Sequence, residues 1–370
     1  MKRLYSGYVM TGEPEARMTY ANYLRVEDLL TLQSGPAGHS PAPCNDEQHF
    51  IIVHQTFELW FKQILTELEQ IHGIMSQVKV SETQLPKLVE HLHRVEVIFK
   101  ATTHSWSVMQ TLTPQGFLGF RDRLGTSSGF ESWQMRAMES LLGIRAGRVG
   151  GMDPMAHMEK LFKENKLSEH AWDYLNDIES RPSIHELLVN WLSRTPINGS
   201  LIESEKDSEV VEKFVENHLN SMREHGSKVI EHMIAIGHGD RKPLTDRLES
   251  QVGAAKEFLI QDGEVNRSRA GLLYIETYRE LPLLSWPRAL IEQIVATEQA
   301  MILFRSHHAR MVERMIGRRM GTGGSSGVDY LDMTTKYRIF KDLWEVRTIL
   351  LKNSVLPEPD NKPFYGFTAE

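Results

Sequence analysis

Apolar positions recur along this chain at intervals of three and four residues, and alternation with a period of two is almost absent. The pattern predicts an all-α protein. Residues 23–33 (YLRVEDLLTLQ) read as a short amphipathic helix, followed over 34–43 by a loop rich in Gly, Pro and Ser. Asn45 or Asp46 is placed to cap a long helix from Glu47 to about Met75, whose apolar face is broad enough for full burial. A second long helix is predicted from about Thr83 to Met109, with Pro86 in its first turn and a stop near Pro114. Phe130 to Leu142 keeps the helical period until Gly143, and shorter helices are predicted over 155–163, 169–178 and 183–192.

From Glu203 to Leu259 the character changes. The segment is charged, only moderately amphipathic and poor in aromatics, and Gly237-His238-Gly239-Asp240 interrupts it. It reads as a helical hairpin inserted outside the main core. Apolar density returns over 270–283, Pro287 opens a long helix to about Ile316, and 337–351 makes the last helix. Pro357 and Pro359 begin a tail expected to be loose. No repeat or low-complexity tract is present. The reading is a single all-α domain over 1–370 with a helical insertion at 203–259.

Composition narrows the function classes. A net charge of −7 argues against general binding to nucleic acid or to an anionic membrane. The longest apolar runs are too short to span a bilayer, and the N-terminus has no signal-peptide core. One cysteine, Cys44, excludes an internal disulfide and points to a reducing cytoplasm.

Histidine placement adds chemistry. In FIIVHQTFELWFKQILTEL, His54 falls four residues after Phe50 and three before Phe57, on the apolar seam. In the late helix, His308 falls four after Phe304 and three before Met311, while His307 points about a quarter-turn away. A histidine on such a face is ordinarily a core residue satisfied by a hydrogen bond. Neither has a histidine partner at three or four residues, so a helix-borne zinc pair is absent, as is the Cys-x-x-Cys-His of covalent haem attachment. A planar cofactor held between helices, with one histidine as axial ligand, also suits the spacing.

The run GTGGSSG over 321–327 looks like a phosphate cradle, but no lysine follows and a helix, not a strand, precedes it. It reads either as a helix C-cap with a flexible turn or as a lid whose Thr322 meets a small polar ligand. Arg121, flanked by Phe117, Phe120 and Leu124, could present a planar fork to a carboxylate inside an apolar site or pair at the surface with Asp122 or Glu131.

Four blocks in this order carry a resemblance that no single motif does: YANYLRVEDLLTLQ, NDEQHFIIVHQTFELWFKQILTEL, FRDRLGTSSGFESWQMR and HHARMVERMIGRRMGTGGSSGVDYL. Together they resemble the tryptophan 2,3-dioxygenase family over most of the chain. The resemblance implies a haem b enzyme that opens the indole ring of L-tryptophan with dioxygen to give N-formyl-L-kynurenine. It implies that His308 is the proximal iron ligand, with His307 as the alternative if the register slips by one. His54 would be the distal histidine that meets the indole N–H. Phe50, Phe117 and Leu124 would wall the indole pocket, and Trp106 would lie near the haem. Arg121 would grip the substrate carboxylate and Thr322 its zwitterionic end. Tyr20, Tyr23 and Leu24 match an element that completes a neighbouring subunit's pocket, which implies a homotetramer.

The chain departs from the family pattern at His49 beside Phe50, at Val328-Asp329-Tyr330-Leu331-Asp332 after the glycine loop, and at Phe304, where a tryptophan is common. These departures keep two other readings open. One is an oxygenase of the same superfamily acting on a modified indole, inserting one oxygen atom instead of two. The other is a non-catalytic haem sensor or scaffold, against which the pairing of Arg121 with Thr322 argues.

Overall fold

The structure is a computed structural model, and it describes residues 18–35, 41–125, 127–145, 154–319 and 327–366. Thr322 therefore lies outside the described residues, as does most of the glycine loop.

Two short helices come first, α1 (Tyr20–Leu24) and α2 (Val26–Leu29). The Thr19 hydroxyl caps α1 by accepting from the Asn22 amide. The single helix expected over 23–33 is broken, because Arg25 takes the left-handed conformation at φ 53°. Neither helix buries a residue, so no tertiary packing holds the segment straight.

Three long helices form the frame: α3 (Asn45–Met75), α4 (Leu85–Met109) and, far along the chain, α13 (Ser285–Ile316). The N-cap of α3 is Cys44, which makes no side-chain cap, rather than Asn45 or Asp46. Asp46 and Glu47 instead sit in the first turn, facing the positive end of the helix dipole. Ile64, Leu68 and Ile71 of α3 and Leu88 and Val95 of α4 are fully buried. Each such aliphatic side chain contributes roughly 1.5–3 kcal/mol through burial. The α13 helix packs along α4, and the Thr297 hydroxyl donates to the Leu92 carbonyl oxygen across that seam at 3.1 Å.

The remaining helices surround this frame. They are α5 (Pro114–Phe120), α6 (Trp133–Leu142), α7 (Pro154–Lys163), α8 (Glu169–Ser180) and α9 (Ile184–Leu192). Ser183 and Glu186 form a reciprocal capping box at the start of α9. Gly143 ends α6 at φ 127°, where a side chain would also meet His185 Cβ at 2.9 Å.

The charged segment folds as the antiparallel helices α10 (Asp207–Ala235) and α11 (Arg241–Leu259), which pack on each other through a turn containing Gly237 and Gly239. A two-residue ribbon, Ile260–Gln261 with Glu264–Val265, leads into α12 (Arg267–Thr277). After α13 come α14 (Gly327–Thr334) and α15 (Lys341–Glu345). The last predicted helix is shorter than 337–351: α15 passes into a 3-10 turn over Val346–Ile349.

The tail from Pro357 is not loose over its described part. Tyr365 is completely buried, donates to the Pro196 carbonyl oxygen at 2.8 Å and accepts from the Gly199 amide at 3.0 Å. One aromatic anchor outweighs the two prolines that suggested a free end.

Candidate active site

A large cavity opens between α3, α4, α6, α13 and α14. It holds about 1470 Å³ not filled by protein atoms, its open mouth included.

On the α3 side, His54 lines the cavity and its ring lies 4.0 Å from that of Phe50, centroid to centroid. Nδ1 of His54 is 2.8 Å from the Phe50 carbonyl oxygen. A carbonyl only accepts, so Nδ1 carries the hydrogen and Nε2 keeps its lone pair. Burial pushes the His54 pKa below the usual imidazole value, partly opposed by that hydrogen bond, so the neutral ring is the resting form.

On the α13 side, His308 lines the same cavity and His307 is exposed to solvent. Burial, with the nearby His54 second, lowers His308 to about 4. A neutral imidazole is the form that binds a metal. Trp106 of α4 is buried and stacks on His308, and Phe304 and Phe57 pack against Trp106 at 5.4 and 4.3 Å.

Phe117, Arg121 and Leu124 line the cavity from α5 and the 3-10 turn that follows it (Arg121–Leu124). The turn is tied down by its neighbour Arg123. That guanidinium pairs with Glu47 at 2.7 Å and donates to the Pro41 carbonyl oxygen at 2.6 Å, so α3 and this turn move together. The Thr113 hydroxyl caps α5 by accepting from the Gly116 amide.

A charged edge went unseen in the sequence. Arg136 and Glu139 of α6 and Arg305 of α13 line the cavity, all nearly buried. Glu139 pairs with Arg136 at 2.6 Å and with Arg305 at 2.5 Å, leaving one net positive charge in a desolvated place. Arg136 Nε and Trp106 Nε1 are buried without a hydrogen-bond partner among the described residues. Tyr330 joins this edge from α14, its phenol held protonated by burial. Tyr20, Tyr23 and Leu24 stand apart from it: they are exposed on α1 and line no part of this chain's own cavity.

The family model for tryptophan 2,3-dioxygenase matches residues 10–350. A tryptophan 2,3-dioxygenase of Sorangium cellulosum is 40% identical over 95% of this chain and 88% of its own length. A tryptophan 2,3-dioxygenase of Ralstonia nicotianae is 38% identical over 95% of this chain and 98% of its own. A tryptophan 2,3-dioxygenase-like protein of Xanthomonas campestris pv. campestris is 38% identical over 70% and 99%.

This chain belongs to the tryptophan 2,3-dioxygenase family. The family is one of haem-dependent oxidoreductases. The cavity of this family member has two features that fit a haem. The walls around Trp106, Phe57 and Phe304 are aromatic and apolar. The edge formed by Arg136, Glu139 and Arg305 sets two guanidinium groups against one carboxylate and has an N–H without a hydrogen-bond partner among the described residues, which suits carboxylates. The signal for that edge was faint in sequence: Arg136 and Glu139 read as an ordinary three-residue helix pair, and Arg305 as one polar residue on the seam of α13.

Proposed function

We propose that this protein is a haem b dioxygenase that opens the indole ring of L-tryptophan to N-formyl-L-kynurenine. The observation that carries the reading is the convergence of two neutral histidines, His54 and His308, on one cavity that Arg121 also lines. Haem, when bound, supplies the activation of dioxygen, and the protein's share is placement and electrostatics.

In this reading His308 holds the iron, and Arg136 and Arg305 face the porphyrin carboxylates. Arg121 offers its fork to the substrate carboxylate, and Thr322 meets the same zwitterionic end. Phe50, Phe117 and Leu124 hold the indole flat among apolar walls, which restricts it to reactive orientations. His54 accepts the indole N–H at Nε2, the lone pair left free by the bond from Nδ1 to Phe50. A site that pairs both carboxylate and ammonium rejects analogues lacking either, since its polar groups would stay unpaired.

The assembly follows from the same reading. Tyr20, Tyr23 and Leu24 form an exposed, largely apolar arm whose occupant is the pocket of a neighbouring copy, in a homotetramer. The chain is one domain, and the α10–α11 hairpin is an insertion in it. Among the described residues no helix is long and apolar enough to cross a membrane, and a lone exposed Cys44 suits the cytoplasm.

The test is mass spectrometry of the product made by ferrous, haem-loaded protein from L-tryptophan and labelled dioxygen. Two labelled atoms in one formylkynurenine are expected. One labelled atom, or no reaction with tryptophan and turnover of a substituted indole, would replace this reading with an oxygenase for a modified substrate.

A further inference from the structure

Trp106 and His308 lie face to face, with ring centroids 4.6 Å apart and planes 3° from parallel. The two rings are not held alike. Trp106 is only 3% exposed and is packed by Phe57 and Phe304, so its plane is fixed by the α3–α4–α13 core. His308 is half-buried and borders the cavity, and the torsion that rotates an imidazole about its stem is broad. Other histidines of the chain are fixed by carbonyl oxygens: His54 by Phe50, His72 by Pro182 and His218 by Ile349. Among the described residues, His308 is faced by an indole.

We infer that Trp106 is a positioning residue for His308: its indole face sets the rotation of the imidazole ring, and so the plane in which that ring approaches the iron. The inference rests on the reading of His308 as the iron ligand. Groups around a metal-bound histidine ordinarily orient it through a hydrogen bond to its second nitrogen. A parallel aromatic face does the same job sterically, because rotating the imidazole out of parallel drives its edge into the indole. The offset-stacked arrangement is also one that aromatic pairs favour. Phe304 is the natural companion in this device, since it sits one turn before His308 on α13 and its ring lies 5.4 Å from that of Trp106.

A competing role for Trp106 is available on the same ring. Its Nε1–H is buried without a partner among the described residues, so the residue could act by donating to whatever fills the cavity. The two roles separate by substitution. Trp106→Phe keeps a flat face and loses the N–H, whereas Trp106→Met keeps bulk and loses both.

The readout is the iron–histidine stretching band in the resonance Raman spectrum of the ferrous, haem-loaded protein, with haem content and circular dichroism measured alongside. The wild-type and Trp106→Phe proteins should give one narrow band at the same position. Trp106→Met and Trp106→Leu should give a broadened or displaced band. An unchanged band in the haem-loaded Met and Leu variants would overturn the inference, and so would equal displacement in the Phe and Met variants, which would assign the role to the N–H. Loss of haem from the Met and Leu variants while Phe loads normally supports the need for the face. Loss from all three overturns it in favour of a purely structural Trp106. The His308→Ala protein keeps the underlying reading separate: if it still shows the wild-type band, His308 is not the ligand and the reading itself fails.

Discussion

His54 is bonded to the carbonyl oxygen of Phe50 one turn earlier on the same helix, 2.8 Å from Nδ1, and the two rings lie 4.0 Å apart. The pair behaves as one unit of the cavity wall, with the histidine's proton committed to the backbone and its lone pair turned elsewhere. A neutral hydrogen bond is worth about 0.5–1.5 kcal/mol net. His54→Ala should therefore lower kcat/KM for L-tryptophan by roughly ten-fold while haem content stays normal. A variant that binds haem and substrate and yet is wholly inactive would assign His54 an obligatory proton transfer instead.

The same histidine fixes an acid limit. Its pKa in the fold is lowered by burial, so the neutral acceptor persists when the pH drops to the ordinary imidazole value of about 6.5. The His54-dependent share of kcat/KM should be complete above that value and disappear only as the pH falls through the depressed one. A pH profile measured on wild type and His54→Ala checks this. An acid limb centred at or above about 6.5 that vanishes in the variant would contradict the burial effect.

Arg121 lines the cavity from a turn held by Arg123. A charge-assisted contact to a carboxylate is worth about 1.5–3 kcal/mol, so Arg121→Ala should cost roughly 10- to 150-fold in kcat/KM. Arg121→Lys should recover little of it, because an ammonium lacks the planar fork. Indole-3-propionate, which keeps the carboxylate, and tryptamine, which lacks it, make the assignment specific: only the former should lose binding in the variant, as read by difference spectroscopy.

Glu139 is buried between Arg136 and Arg305. Removing one member of a buried pair typically costs about 3–5 kcal/mol, since a charge is left uncompensated. Glu139→Ala should lower the melting temperature of the haem-free protein by that equivalent. If carboxylates of the cofactor neutralise the arginines, haem binding should restore part of the loss. Equal destabilisation with and without haem would place the porphyrin carboxylates elsewhere.

His218 is buried on α10, with Nε2 2.8 Å from the Ile349 carbonyl oxygen. Burial lowers its pKa, so the unfolded chain takes up the proton first, near the usual value of about 6.5. Stability is complete above that pH and falls as the pH drops toward the lowered folded value. Denaturant titrations from pH 7.5 to 5 should show this slope in wild type and a shallower one in His218→Gln.

Much of this arrangement was legible in the sequence, for a physical reason. The phase of a long helix is fixed by its apolar seam, so the seams of α3 and α13 were enough to turn His54 and His308 inward. Arg25 carries no sequence sign of its left-handed turn, so the apolar period over 23–33 runs on through the break. The prolines of the tail are local signals, whereas the partner that anchors Tyr365, Pro196, lies 169 residues away. The Arg305–Glu139 pair, 166 residues apart, was hidden for the same reason. Thr322 falls outside the described residues, so its role stands on resemblance alone.

The seam between α4 and α13 has a consequence in time. Its hydroxyl bond from Thr297 to Leu92 joins residues 205 apart. At a synthesis rate of about 5–20 residues per second, roughly 10–40 seconds separate the two ends leaving the ribosome. During that interval α3 and α4 have no α13 to cover them, and their aromatic residues face water or a chaperone. His308 arrives only with α13, so until that helix has been made the cavity between α3 and α4 lacks its facing wall.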